Sequence, residues 1–256
     1  MNKTSLFLDS GAFSAWSKGA EINIQEYINF IKEYKNQIEV YAVLDAIGDP
    51  VQTLKNQEIM EAAGLDPLPC YHYGENEKYL KDYIAEYDYV ALGGMVPVSS
   101  KDLQLWLDNI FSRYICDSSG MPKVKIHGFG MTTFNLMRRY PWYSVDSTTW
   151  VIASRMGEII IPRFKNNKYK YNIRPLRIKI SNKGPKTNGK HYDTLSIMTR
   201  KLILKYIKMK KFDIKKLKEE YIQRDLLNLE YLKDFKKDQP KWPWPFIYNG
   251  VQGFDL

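Results

Sequence analysis

Apolar positions along the first two thirds of the chain follow two alternating rhythms. Short runs rich in β-branched and aromatic residues, at 5–9, 40–47, 68–73, 89–96, 124–128, 143–146 and 158–164, read as strands. Between them the apolar residues fall at helical spacing. Ile24, Tyr27, Ile28, Ile31 and Tyr34 predict a helix over 24–35. Asp49 followed by Pro50 predicts a helix start, and Gly64 its end. Further helices are expected over 76–87, from Ser99 or Ser100 to about Cys116, and over 132–139. Strands alternating with helices at this spacing predict parallel β/α units. The expected fold is therefore α/β: a TIM-like (β/α) barrel, complete or irregularly closed, with a doubly wound open sheet as the alternative.

The pattern changes after Phe164. Residues 165–190 carry Lys165, Lys168, Lys170, Arg174, Arg177, Lys179, Lys183, Lys186 and Lys190, with Tyr169 and Tyr171 interleaved. Within this block, 169–172 and 176–180 read as strands of a hairpin-like insertion, and 183–189 as a Gly/Pro/Asn-rich turn. Helical spacing returns over 194–209 and 214–235, both dense in lysine. The tail, 240–256, sets Trp242, Trp244, Phe246 and Tyr248 among prolines and is expected to dock on the preceding fold. The expected organisation is a β/α core over 1–164 carrying the active site. Residues 165–256 would complete or flank it with a basic insertion, lysine-rich helices and the aromatic tail.

Composition narrows this reading. A chain of 256 residues that is 44% hydrophobic can bury a sizeable core. No apolar run is long enough to span a bilayer, and no charged-then-apolar leader follows Met1, so a soluble cytoplasmic protein with no membrane partner is expected. A net charge of +9 favours a polyanionic partner. The two cysteines, Cys70 and Cys116, cannot supply a disulfide framework or a Cys-rich zinc site, and each is expected in apolar packing.

The candidate chemistry sits where the strands stop. Phe7-Leu8 ends at Asp9, Val43-Leu44 at Asp45, Ala91-Leu92 at Gly93-Gly94, and Ser144-Val145 at Asp146, which Ser147, Thr148 and Thr149 follow. In a barrel of parallel strands such ends converge on one face.

Asp9-Ser10-Gly11-Ala12-Phe13 resembles the Asp-Ser-Gly-Gly-aromatic motif of the guanine transglycosylases, which exchange guanine for a 7-deazaguanine. Leu44-Asp45, Leu92-Gly93-Gly94-Met95, His127-Gly128-Phe129-Gly130 and Val145-Asp146 resemble that family's later motifs, in the same order. The resemblance runs from about Leu6 to Ile160 and is nearest to the short, phage-type branch that acts on DNA. It implies Asp146 as the nucleophile that takes the sugar C1′, and Asp9 as the acid that moves protons on the departing and arriving bases. It places Asp45 on the N1–H and 2-amino donors of the base, with Ser10 beside it. Gly93 and Gly94 would offer backbone N–H groups to O6, while Phe13 and His127 would cover the two faces of the ring.

Two departures bear on the substrate. The family usually has a glutamine at the strand end where this chain has Tyr71, His72 and Tyr73. Its tRNA-acting members carry a C-terminal zinc site that needs more cysteines than this chain has, so no metal or other cofactor is expected. The resemblance thus implies a DNA-guanine transglycosylase using a free 7-deazaguanine such as preQ0 or a derivative. Lys168, Lys170, Arg174 and Arg177 would track phosphates, with Tyr169 and Tyr171 stacking on bases. If phage-encoded, it would work in the cytoplasm of the bacterial host. The same exchange on tRNA, a non-catalytic nucleic-acid-binding relative, and a barrel hydrolase of phosphate- or sugar-containing small molecules stay open as alternatives.

Overall fold

A computed structural model of the chain describes residues 6–131 and 133–248. Ser5 and Thr132, counted above in a strand and a helix, and the tail beyond Tyr248 lie outside the described residues. The fold is mixed α/β and divides into two compact units. One comprises residues up to Met131, Arg139–Asp146 and the stretch from Trp242; the other comprises Thr132–Arg138 and Ser147–Lys241. No helix among the described residues is long and apolar enough to cross a membrane.

The first unit opens with β1 (Leu6–Leu8), the short α1 (Ala12–Trp16), α2 (Ile24–Tyr34), β2 (Ile38–Tyr41) and α3 (Pro50–Ala62). Next come β3 (Cys70–His72), α4 (Glu77–Glu86), β4 (Tyr89–Gly93), α5 (Ser100–Ile110) with a π-helical turn over Phe111–Ile115, and β5 (Lys125–Gly128). It closes with β6 (Ser144–Val145). Caps fix the helix starts. Asp49 accepts from Gln52 N, Asn76 from Lys78 N, and Ser99 from Asp102 N.

The strands pair in chain order. β1 pairs with β2, and β3, β4, β5 and β6 form a four-stranded parallel sheet. A parallel bridge between Ala42 and Leu68, with Val43 N donating to Leu68 O at 3.0 Å, links the two sets. Among the described residues no strand is inserted between chain neighbours, so their order has none of the reversal that defines a doubly wound sheet. The sheet is curved. On a flat sheet β1 and β5 would stand about 19 Å apart, yet Phe7 of β1 and His127 of β5 stack with ring centroids 4.3 Å apart. Among the described residues no strand pairs β6 back to β1, so a closed barrel is not observed.

The expected strand over 40–47 stops at Tyr41. Beyond the single bridge at Ala42 the backbone turns through Gly48, at φ 81°, into the Asp49 cap. The core beneath is aliphatic, with Ile28 and Ile31 of α2 and Met60 of α3 packed on Val43 and Ala91. The described part of the tail docks on this unit. Phe246 is buried beside Phe111 and Tyr140, and Trp242 Nε1 donates to Pro141 O at 3.2 Å.

The second unit contains α6 (Phe134–Arg139, whose last residue belongs to the first unit), α7 (Thr149–Arg155), β7 (Glu158–Ile161), β8 (Arg163–Lys165) and β9 (Lys168–Lys170). These are followed by β10 (Leu176–Lys179), a 3-10 turn over Tyr192–Thr194, α8 (Ile197–Met209), α9 (Ile214–Glu219) and α10 (Tyr221–Asp238). Several expectations are corrected here. The strand over 158–164 splits, because Pro162 has no N–H to continue a ladder. The hairpin is β8 with β9, turned by Asn166 and Asn167 at φ 51° and 59°; β10 instead pairs antiparallel with β7. The helix over 194–209 begins at Ile197, where Ser196 caps it. The helix over 214–235 breaks at Glu220, which is extended at φ −109° and ψ 121°. Asn228 of α10 joins three elements: its Oδ1 accepts from Ile160 N at 2.8 Å and its Nδ2 donates to Trp150 O at 3.1 Å.

Candidate functional site

The acids picked out in the sequence lie at the C-terminal ends of the parallel strands of the first unit. Asp9 follows β1. Its Oδ1 accepts from Gly11 N at 3.2 Å, a tight turn that puts Gly11 at φ 74°. Ser10 is buried, and its hydroxyl donates to Asp45 Oδ1 at 2.7 Å while accepting from Ala12 N at 3.3 Å. Asp45 sits in the loop after β2, which α3 holds in place: Asn56 Nδ2 donates to Leu44 O at 2.6 Å. Asp146 follows β6 and accepts from Gly130 N at 2.7 Å.

The acids feel one another, with opposite results. Burial pushes the Asp9 carboxyl above its usual range, and the charges of Asp45 and Asp146 add to this; the Gly11 N–H only partly opposes it. Burial also acts upward on Asp146, but the His127 ring and the Gly130 N–H outweigh it and hold that carboxyl below its usual range. One acid is thus biased toward carrying a proton and another toward staying ionised.

His127 presents an edge, not a face. Its ring is stacked on Phe7 and met edge-on by Phe129, at centroid distances of 4.3 and 4.6 Å. Nδ1 lies 2.6 Å from Ser144 Oγ, which lies 2.6 Å from the Tyr89 hydroxyl. Nε2 is buried without a hydrogen-bond partner, 3.6 Å from Asp146 Oδ1. With one face taken by Phe7, the ring is placed to act on Asp146. Phe13 is 52% exposed on α1, with the Trp16 ring, 59% exposed, 6.0 Å away.

Asp45 also belongs to a side-chain cluster with Cys70, His72 and Glu75, of which His72 and Glu75 have no role assigned from the sequence. His72 Nε2 lies 2.9 Å from Asp45 Oδ2 and 3.5 Å from Cys70 Sγ, while Nδ1 lies 3.0 Å from Glu75 Oε1. Glu75 Oε2 also accepts from His72 N at 3.0 Å. Burial works against a charged ring at His72, but the contacts with Cys70, Asp45 and Glu75 outweigh it and push its pKa up. Gly93 is bare because these side chains need the room. A Cβ there would stand 2.7 Å from His72 Cδ2 and 2.9 Å from Cys70 Sγ. Gly94 holds φ 67°, a conformation that favours glycine.

The basic block lies in the second unit. Lys168 and Arg174 are exposed, and Lys170 is half-buried. Arg177 is engaged by Glu158, with Nη2 at 2.7 Å and Nε at 2.9 Å from Oε2. The tyrosines are not free to stack on bases. Tyr169 donates to Leu202 O at 3.0 Å and packs on Tyr206, while Tyr171 donates to Asp234 Oδ2 at 2.7 Å beside Tyr231.

Compared with known proteins, the chain matches no family model, no curated protein and no solved structure.

Proposed function

We propose that the protein is a DNA-guanine transglycosylase, exchanging guanine in DNA for a 7-deazaguanine base. The observation that carries this reading is the placement of Asp9 and Asp146 at the ends of parallel strands, with Asp146 held by Gly130 N–H and 3.6 Å from His127 Nε2; the opposite directions of their pKa shifts agree with it. Base exchange needs that division of labour. Asp146 attacks the sugar C1′, and the bond from C1′ to the guanine nitrogen breaks with its electron pair leaving on the base. Asp9 supplies the proton that the departing base takes up. The incoming base then returns a proton to Asp9, its nitrogen attacks C1′, and the Asp146 carboxylate is released.

Asp45 has hydrogen bonds on both oxygens, from Ser10 and His72, and each oxygen keeps a lone pair for the N1–H and 2-amino groups of the base. Gly94 N–H is offered to O6. The in-order parallel strands and the Phe7–His127 stack across them support a (β/α) barrel as the scaffold on which such a site would stand. The exposed Lys168 and Arg174, together with Lys170, supply phosphate contacts. A guanine in a duplex is stacked and paired, so it has to be flipped out to meet acids at the strand ends.

The test is incorporation of a labelled 7-deazaguanine into DNA and into tRNA by the purified chain. Label is expected in DNA, and loss by several orders of magnitude in Asp146→Asn. A covalent protein–DNA adduct is expected under trapping conditions with the unmodified chain and not with the variant. Label in tRNA alone would transfer the reading to the tRNA reaction. Full activity in Asp146→Asn would remove Asp146 from its role.

A further inference from the structure

Residues two apart on a strand project to the same face, so Cys70 and His72 of β3 point together. They point at Asp45. Sγ, Nε2 and a carboxylate oxygen of these residues all lie within 4.8 Å of one another. Zinc binds thiolate, imidazole and carboxylate at bond lengths that set ligand atoms about 3.5 Å apart around a tetrahedral ion. The distance from Cys70 Sγ to His72 Nε2 is 3.5 Å. The 2.9 Å from His72 Nε2 to Asp45 Oδ2 is shorter, the length of the hydrogen bond that joins them without an ion.

Glu75 adds an independent sign. It takes Nδ1 of His72 on the far side of the ring at 3.0 Å, leaving Nε2 aimed at Asp45 and Cys70. A carboxylate on the second nitrogen is the usual support of a metal-bound histidine. Gly93 leaves the space in which the Cys70 and His72 side chains meet.

We infer that Asp45, Cys70 and His72 form a three-ligand site for a borderline-soft divalent cation, zinc by its chemistry, with Glu75 orienting the imidazole. Only one cysteine is needed, so a chain too poor in cysteine for a Cys-rich site can still build it. Binding releases to solvent the Cys70 thiol proton and any proton carried on His72 Nε2. The site stands on its geometry and not on the base exchange proposed above. An ion there takes the Asp45 oxygen a base would use, so metal and base compete.

The experiment uses the untagged full chain, stripped with a chelator. Zinc is titrated against a chromophoric competitor, and cobalt is added separately as a spectroscopic probe. Expected are a single zinc per chain, proton release on binding, and a sulfur-to-cobalt charge-transfer band. His72→Ala and Cys70→Ser should weaken binding by roughly 100-fold or more, and Glu75→Gln by about 10–100-fold. Cys116→Ser should leave it unchanged. Circular dichroism checks each variant, and the cobalt spectrum of the unmodified chain decides the matter even if a variant fails to fold. No zinc uptake, no charge-transfer band, or uptake indifferent to Cys70→Ser and His72→Ala would overturn the site. Zinc binding without base exchange would leave the site standing and remove the proposed function.

Discussion

Phe7 lies face to face with His127, ring centroids 4.3 Å apart and planes 19° apart, although the two come from the first and fifth strands of the sheet. The stack fixes the imidazole so that its Nε2 edge meets Asp146. If Asp146 acts ionised, its depressed pKa sets the acid side of the pH–rate profile. Removing the ring should raise that pKa, so activity should be lost at a higher pH on acidification. The initial rates of His127→Asn and the unmodified chain, followed downward from neutral pH, check this. Superimposable acid limbs would detach His127 from Asp146.

Gly93 tests the packing on β4. A Cβ at this position would stand 2.7 Å from His72 Cδ2 and 2.9 Å from Cys70 Sγ. Gly93→Ala should cost about 1–3 kcal/mol, the usual range for overpacking. Urea unfolding measures it, and the variant should also weaken binding of the free base. Unchanged stability would mean that His72 and Cys70 have room to move aside.

Asp108 of α5 accepts from Arg139 Nε at 2.8 Å, from Nη2 at 2.9 Å and from the Tyr140 hydroxyl at 2.7 Å, with its side chain 5% exposed. Asp108→Ala leaves a mostly buried guanidinium without its bidentate partner. A loss of about 3 kcal/mol is expected in urea unfolding, since breaking a buried pair costs more than the pair contributes. A loss below about 1 kcal/mol would show that water replaces the carboxylate.

Asp193 tests pH-dependent stability in the second unit. Hydrogen bonds from Lys218 and Lys186 lower its pKa to about 2. A depressed folded-state pKa contributes stability that is present above the unfolded value, near 3.8, and lost as pH falls toward 2. Asp193→Asn should therefore be less stable at neutral pH by roughly 1 kcal/mol after solvent screening, and the difference should vanish near pH 2. Melting temperatures across that window measure it. A constant difference would assign the effect to packing.

The DNA path is tested by salt. Changing Lys168, Lys170 and Arg174 together to Gln should flatten the dependence of log K on log salt by about one unit per lost phosphate contact. Arg177→Gln should matter less, because Glu158 already neutralises its guanidinium. Anisotropy titrations at several salt concentrations separate the two. A triple variant with the unmodified slope would make the block a solvated face.

Much of this was legible along the chain. Asp49-Pro50, Asn76 and Ser99 mark helix starts because a cap needs only local residues. The acids were visible because each follows an apolar run. Partners distant in sequence were not. The pairing of β10 with β7 leaves no local trace, and α1 and α7 are too short to show a period. Tyr169 and Tyr171 misled for a physical reason. Alternation of tyrosine with lysine marks a strand with one packed face as readily as it marks a surface for bases, and here the tyrosines are half-buried with their hydroxyls engaged. Cys70 does sit in the apolar core as expected, but its second contact, with His72 beside Asp45, forms only once the chain after β2 lies beside β3.

The pairing of each parallel strand with the next in the chain also bears on how the protein is made. Every link from β1 to β6 closes over a single crossover, so the sheet can lengthen in the order in which synthesis delivers it, with little entropy lost per added strand. What cannot form early is the stack of Phe7 on His127, which waits for β5. That stack is therefore among the last contacts to form, and Asp146, which follows the next strand, arrives after it.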